Sequence, residues 1–345
     1  MAANDRLASE REHSTGAWPF AAMLALVGAL VFGVNAAAIR LSPVSERTFD
    51  GRTVAVKWDL AGQGAPAGGV VVIGDSSGNF AVDTEVLEER LGVPARNYCT
   101  YGRFLNLGAG WFLDHALQGA EAPPSLVLVV MGTRTFALEA DGFTFAQIPA
   151  PLGGWASRIP YVGLPLQEAL QCAAARAFPL YAQHRSFEAG IRKGLWQIDP
   201  SRLPIGEGGT SVLPRAYPNG VPPFAEKVLG EFEAMGDGPI PSTRDREAMA
   251  GLVRAAEEGG FDLVFVDGPV WEGLAAREEH RAFLAEVHAH MDALCAGSAR
   301  ARRLTGGLQV FPKEVMENPF HLTGPAAAEF SAELAERLRA EALPR

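Results

Sequence analysis

The sequence is poor in cysteine: Cys99, Cys172 and Cys295 are its only three. Three thiols cannot build the disulfide framework of a small secreted scaffold, and an odd number leaves at least one unpaired. An excess of positive charge is also missing. Thirty Lys and Arg stand against 40 Asp and Glu, giving a formal net charge of −10. That balance argues against a nucleic-acid partner, which would favour a basic face. There is no Cys-x-x-Cys pair, Walker loop or dinucleotide-binding glycine pattern in a fitting context, so no cofactor is expected. No metal site is expected either. His288 and His290 are two apart on a helical stretch and do not share a face. His13, His184 and His280 have no partner pattern, and no internal repeat stands out.

What the chain does have is apolar material. Hydrophobic residues make up 48% of 345, ample for a core. Residues 17–39 run from Ala17 to Ile39 without a charged side chain, with Asn35 the only strongly polar one and Trp18 near one end. At 1.5 Å per residue this stretch can cross a ~30 Å hydrocarbon core. It reads as a transmembrane anchor after a tail at 1–16. The competing reading is a cleaved signal peptide, with Ala36-Ala37-Ala38 as the small-residue site. Arg6 and Arg11 precede the span, while Arg40, Arg47 and Arg52 follow it, so charge does not set its orientation.

Residues 40–68 end in Gly62-Gln63-Gly64-Ala65-Pro66-Ala67-Gly68-Gly69 and read as a flexible stem, with an edge strand as an option at 53–58. Beyond it, strands are expected at 70–74, 94–98, 125–131, 261–267 and 307–311. Helices are expected at 82–91, 110–119, 244–258, 276–296 and 325–342. The alternation implies an α/β fold, a parallel sheet covered on both faces over residues 69–345. Residues 135–243 interrupt it with many prolines and two apolar helical stretches, about 163–178 and 181–196. So long a segment reads as a helical insertion with structure of its own. Its first part is mildly basic within an acidic chain, which suits a lid, a partner surface or a face resting on a membrane.

Two short segments carry the chemistry. Val70-Val71-Val72-Ile73 ends abruptly in Gly74-Asp75-Ser76. This places Ser76 beyond the carboxyl end of a buried strand, where open α/β sheets put reacting groups. A serine there is either a helix N-cap or a nucleophile. Far along the chain, Asn318-Pro319-Phe320-His321-Leu322 precedes a terminal helix. Together these segments resemble the SGNH (GDSL-like) hydrolase superfamily over residues 69–134 and 244–345. The resemblance implies a three-layer, flavodoxin-like parallel sheet, Ser76 as nucleophile and His321 as base. Gly102, with Gly108 and Gly110 as rivals, would supply an oxyanion amide. The chain departs from the family at two places. Arg134, in Gly132-Thr133-Arg134-Thr135, stands where the family has its oxyanion-hole asparagine. Asn318 stands where the family has the aspartate that orients the histidine.

A serine needs a base, and the base needs a group that fixes its tautomer and offsets its developing charge. An amide at 318 can orient the ring but cannot offset charge. Glu317, Glu314 or Asp267 are the carboxylates available to replace it; alternatively a Ser–His dyad acts alone. Arg134 is a donor toward an oxyanion or an acidic substrate group, or else the partner of a nearby acid such as Asp75. Asp75 itself reads as a brace for the turn. Asp114-His115 is a less favoured dyad on a helix surface.

The resemblance extends to membrane-anchored, extracytoplasmic accessory proteins of alginate O-acetylation and teichoic acid D-alanylation. It implies an esterase or O-acyltransferase acting on acyl esters of a cell-surface glycan. The implied setting is a single-pass protein of the inner membrane with its main domain in the periplasm, beside a polytopic O-acyltransferase of the MBOAT class. The alternative is a catalytically degenerate domain serving as a binding or assembly subunit of a membrane complex.

Overall fold

A computed structural model of the chain describes residues 17–41, 49–138, 140, 142–150, 164–178, 205–211, 241–304 and 309–341. Five parallel strands form one sheet: β1 (Val70–Gly74), β2 (Ala95–Asn97), β3 (Leu126–Met131), β4 (Asp262–Asp267) and β6 (Ala301–Arg303). Their order is β2-β1-β3-β4-β6, that of a doubly wound flavodoxin-like sheet. The register aligns Val70 with Leu126 and Leu126 with Asp262.

The two faces of the sheet follow from alternation within each strand. Val71, Ile73, Val127, Val129, Leu263 and Phe265 point into one apolar core. Helices α2 (Phe49–Gly62), α5 (Leu105–Gln118), α8 (Thr243–Gly259) and α10 (Glu278–Cys295) cover it. Val70, Val72, Leu126, Leu128, Val130, Val264 and Val266 point into the other core, closed by α4 (Thr84–Leu91) and α11 (Gly324–Glu341). Strand β1 is therefore fully buried on both sides. At roughly 1.5–3 kcal/mol for each buried aliphatic side chain, it is the rigid centre of the fold.

Four expectations change. The stem carries a helix instead: in α2, Val54, Lys57 and Ala61 are buried against the domain, and α2 packs along α5. The edge strand proposed at 53–58 is part of that helix. The fifth sheet strand is Ala301–Arg303, whereas Val310–Phe311 (β7) pairs outside the sheet with β5 (Val270–Trp271). An Ala-Arg-Arg edge strand has no apolar run to announce it. Its arginines reach acids, Arg303 to Asp292 and Arg302 to Asp262. Finally, a separate helix, α3 (Ser76–Ala81), starts directly at the turn, before the helix expected from residue 82.

Helix α1 (Ala17–Leu41) contains a 20-residue stretch, Trp18–Ala37, with mean hydropathy 2.1 and long enough to cross a membrane. Within the expected insertion lie the short α6 (Gly142–Phe145), α7 (Leu166–Ala177) and an isolated bridge between Ile205 and Ser211. The second apolar stretch, 181–196, lies outside the described residues. Short strands β8 (Met316–Asn318) and β9 (His321–Leu322) form a hairpin just before α11, with the four-residue α9 (Glu272–Ala275) preceding α10.

Candidate active site

The turn after β1 is built by glycine and aspartate. Gly74 has φ +144°, and a Cβ there would lie 1.9 Å from the Val130 carbonyl oxygen, so only glycine fits. Asp75 is the N-cap of α3, its Oδ1 accepting from the Ser77 amide at 2.8 Å. Its Oδ2 accepts from the Gly132 amide at 2.9 Å and from the Thr135 hydroxyl. Burial raises the Asp75 pKa, opposed by these hydrogen bonds and the nearby His321. The capping role thus belongs to Asp75, which also ties the β1 turn to the β3 turn. Ser76 is left as the first residue of the helix. It is the one residue of Val71–Phe80 that is not buried, so its hydroxyl is reachable.

Across 245 positions of sequence, His321 Nε2 lies 2.8 Å from Ser76 Oγ. The ring is held by the β8–β9 hairpin and packs on Phe80 of α3, with centroids 4.7 Å apart. Its far nitrogen, Nδ1, is 2.6 Å from Asn318 Nδ2. Two further bonds fix which way that amide points. Asn318 Oδ1 accepts from the Phe320 amide at 3.0 Å, and Nδ2 also donates to Glu317 Oε2 at 2.7 Å. A flipped amide would set oxygen against carboxylate and N–H against N–H. Nδ1 therefore accepts, which puts the neutral ring's proton on Nε2, facing Ser76. This is the tautomer that cannot take the serine's proton.

Glu317 offers the remedy. Its Oε2 is 3.6 Å from His321 Nδ1, beyond hydrogen-bond range but within ion-pair range. The His321 ring, and then the Asn318 amide, hold the Glu317 carboxyl below its usual range. A shift of under ~1 Å would let it accept from a protonated Nδ1.

The structure also brings Gly102 and Arg134 to this cluster of loops. A Cβ on Gly102 would meet the Thr135 hydroxyl that bonds Asp75, and Arg134 shares the 3₁₀ turn of Thr133–Ala137 with Thr135. Asp267 goes elsewhere: its Oδ1 bonds His288 Nε2 at 2.9 Å, because α10 carries that imidazole over the end of β4. It is not the partner of His321. Glu314 is exposed on a preceding turn. His115 stacks on Trp58 at 4.1 Å, and Asp114 accepts from Gln118, so those two form no dyad with each other. His280 is buried against the Thr133 hydroxyl, and burial pushes its pKa down to about 4.

Sequence reasoning missed Asn97 and Lys57. The Asn97 amide donates to the Gly78 and Val82 carbonyls, both at 3.0 Å, gripping the middle and the C-cap of α3. Its Oδ1 accepts from the Cys99 amide and from Lys57 Nζ, which also donates to the Asn97 carbonyl at 2.7 Å. Lys57 is fully buried, and burial lowers its pKa to about 7. An asparagine inside an expected strand, 94–98, was the available signal, since strands are depleted in it.

Among the described residues no cluster of His, Cys, Asp and Glu suits a metal ion. Compared with protein-family models, curated proteins and solved structures, the chain shows no match.

Proposed function

We propose that this chain is an SGNH-like serine esterase or O-acyltransferase, with Ser76 as nucleophile and His321 as base. One observation carries the reading: the 2.8 Å contact between Ser76 Oγ and His321 Nε2 at the carboxyl end of β1. In the reaction, the imidazole first exchanges protons with water so that Nε2 is bare and Nδ1 protonated, and the Nδ1–H donates to Glu317 once the Asn318 amide has turned away. Nε2 then takes the serine proton as Oγ bonds to the ester carbonyl carbon. Backbone amides of Ser76 and Gly102, with the Arg134 guanidinium, would receive the oxyanion. The alkoxide leaves with the proton from Nε2, giving an acyl-serine. Water then releases the acid, or a sugar hydroxyl takes the acyl group. The need to exchange Asn318 for Glu317 at Nδ1 makes this a slow centre in its resting form.

The resemblance extends the proposal to acyl esters of a cell-surface glycan. Helix α1 would be a single-pass anchor in the inner membrane, its domain periplasmic and beside a polytopic O-acyltransferase of the MBOAT class. Turnover of a small acetyl ester by the purified chain, abolished in both Ser76→Ala and His321→Ala, supports this activity. Wild-type turnover no faster than the Ser76→Ala variant would reject it. A second reading has an observation of its own: the Asn318 amide on Nδ1 suits a domain retained as a binding or assembly subunit. Absent turnover together with a stable membrane partner recovered by co-purification would favour that reading.

A further inference from the structure

Helix α7 carries apolar side chains on its outer face as well as its inner one. Its charged side chains face the protein: Glu168 pairs with Arg244 at 2.6 Å, and Arg176 donates to the carbonyls of Ile148, at 2.7 Å, and Ala150. Cys172 and Ala175 are buried on the same side, yet a second set of apolar side chains faces outward. Leu166 is 77% exposed and Leu170 61%, and Ala174 and Ala177 are exposed as well. At 100° per residue these four fall within an arc of about 80° on one face of the helix. Among the described residues outside α1, Leu166, Leu170 and Val310 are the exposed large apolar side chains. A soluble domain gains nothing from such a stripe.

The position of the stripe identifies what covers it. The carboxyl end of α7 touches the membrane-spanning stretch: Asn35 Nδ2 donates to the Ala177 carbonyl at 3.0 Å, and the Phe32 and Phe178 rings lie 5.0 Å apart. Asn35 is two residues, about 3 Å, inside the end of Trp18–Ala37, and Phe32 is about 7.5 Å inside it. Interfacial helices bury their apolar face ~5–10 Å into the boundary between headgroups and acyl chains. The contact therefore pins the end of α7 at the depth where such helices lie.

We propose that α7 is a second membrane contact, its Leu166–Leu170 face seated among the upper acyl chains of the leaflet on the C-terminal side of the span. This inference rests on reading α1 as a membrane span. Attachment at α1 and α7 together stops the domain from swivelling about its anchor. It also fixes the direction in which the Ser76 rim faces, as enzymes acting on membrane-proximal substrates require.

The test uses the full chain in phospholipid vesicles. An environment-sensitive nitrobenzoxadiazole probe is placed at Leu170→Cys, in a Cys295→Ser background that removes the half-buried native thiol. Control probes sit at Leu30→Cys in the span and at the exposed Glu286→Cys on α10. Acyl-chain-brominated lipid is expected to quench the probes at 170 and 30 at least twofold and to leave the one at 286 unchanged. A probe at 170 that stays unquenched while the probe at 30 is quenched would overturn the inference and spare the span. Should the probe at 30 also stay unquenched, the span reading fails and the inference falls with it. Because residue 170 is exposed, loss of fold does not explain a negative result, and circular dichroism of the labelled chain checks this.

Discussion

Asn318→Asp is expected to speed the proposed chemistry. In the wild-type chain the Asn318 amide donates to Nδ1 at 2.6 Å, which holds the imidazole proton on Nε2, toward Ser76. An aspartate in the same position would accept from Nδ1–H and leave the Nε2 lone pair free to take the serine proton. The converse change in a serine-protease triad lowers kcat by about 10⁴, which sets the ceiling. The gain here should be smaller for two reasons. Glu317 already stands 3.6 Å from Nδ1 and supplies part of the field. It also lies 2.7 Å from the Asn318 amide, so a new carboxylate would push it toward solvent, where it is already partly exposed. A rise of about 10²-fold, near 2.7 kcal/mol, is the expected size. Acetyl-ester turnover gives the rate, and the imidazole ¹⁵N shifts give the tautomer. If Asn318→Asp is folded and its ring carries the proton on Nδ1, yet turnover stays level or drops, the tautomer argument is wrong.

Further perturbations probe the scaffold beneath the serine. Asn97→Ala strands the buried Cys99 amide, takes one acceptor from Lys57 and removes one of the two donors to each of the Gly78 and Val82 carbonyls, and should lower unfolding free energy by ~2–3 kcal/mol in urea titrations. Lys57 adds a pH dependence. Its pKa, lowered by burial to about 7, means that above pH 7 the unfolded chain binds a proton the folded chain does not. Stability should thus rise from pH 7 to 9 by about 2–3 kcal/mol. Beyond pH 9 the buried Cys99 thiol, whose pKa burial pushes up, keeps a proton that the unfolded chain loses, which offsets the Lys57 contribution and flattens the rise. Lys57→Met should abolish the rise, and an unchanged rise in that variant would contradict this assignment. Asp75→Asn turns one of two acceptor oxygens into a donor facing N–H and O–H groups. A loss of ~2–3 kcal/mol in thermal unfolding and slower modification of Ser76 are expected.

The β1 turn was legible because its signals are local: an apolar run, a glycine and a capping aspartate in consecutive positions. His321 was legible only through the resemblance, since no local pattern ties it to a serine 245 residues away. The helix α2 was hidden behind the mixed polarity of 40–68 and its glycine-rich end. Val54, Trp58, Ala61 and Ala65 already trace a helical stripe, but a lysine among them looks like solvent-facing surface. Only the carbonyl and amide oxygens of Asn97, brought from another element, make its burial tolerable. Asp267 was placed correctly at the end of β4, but the competing imidazole at 288 sits on a helix whose packing angle no sequence pattern states.

The most direct measurement is intact-mass and peptide mapping after exposure to a fluorophosphonate, which modifies only activated serines. One phosphonyl group on Ser76, lost in Ser76→Ala and at least tenfold slower to form in His321→Ala, is the expected result. A wild-type chain that stays unmodified under conditions that label a serine hydrolase, or that carries the adduct on another residue, would contradict the claim that these two side chains form a reactive pair.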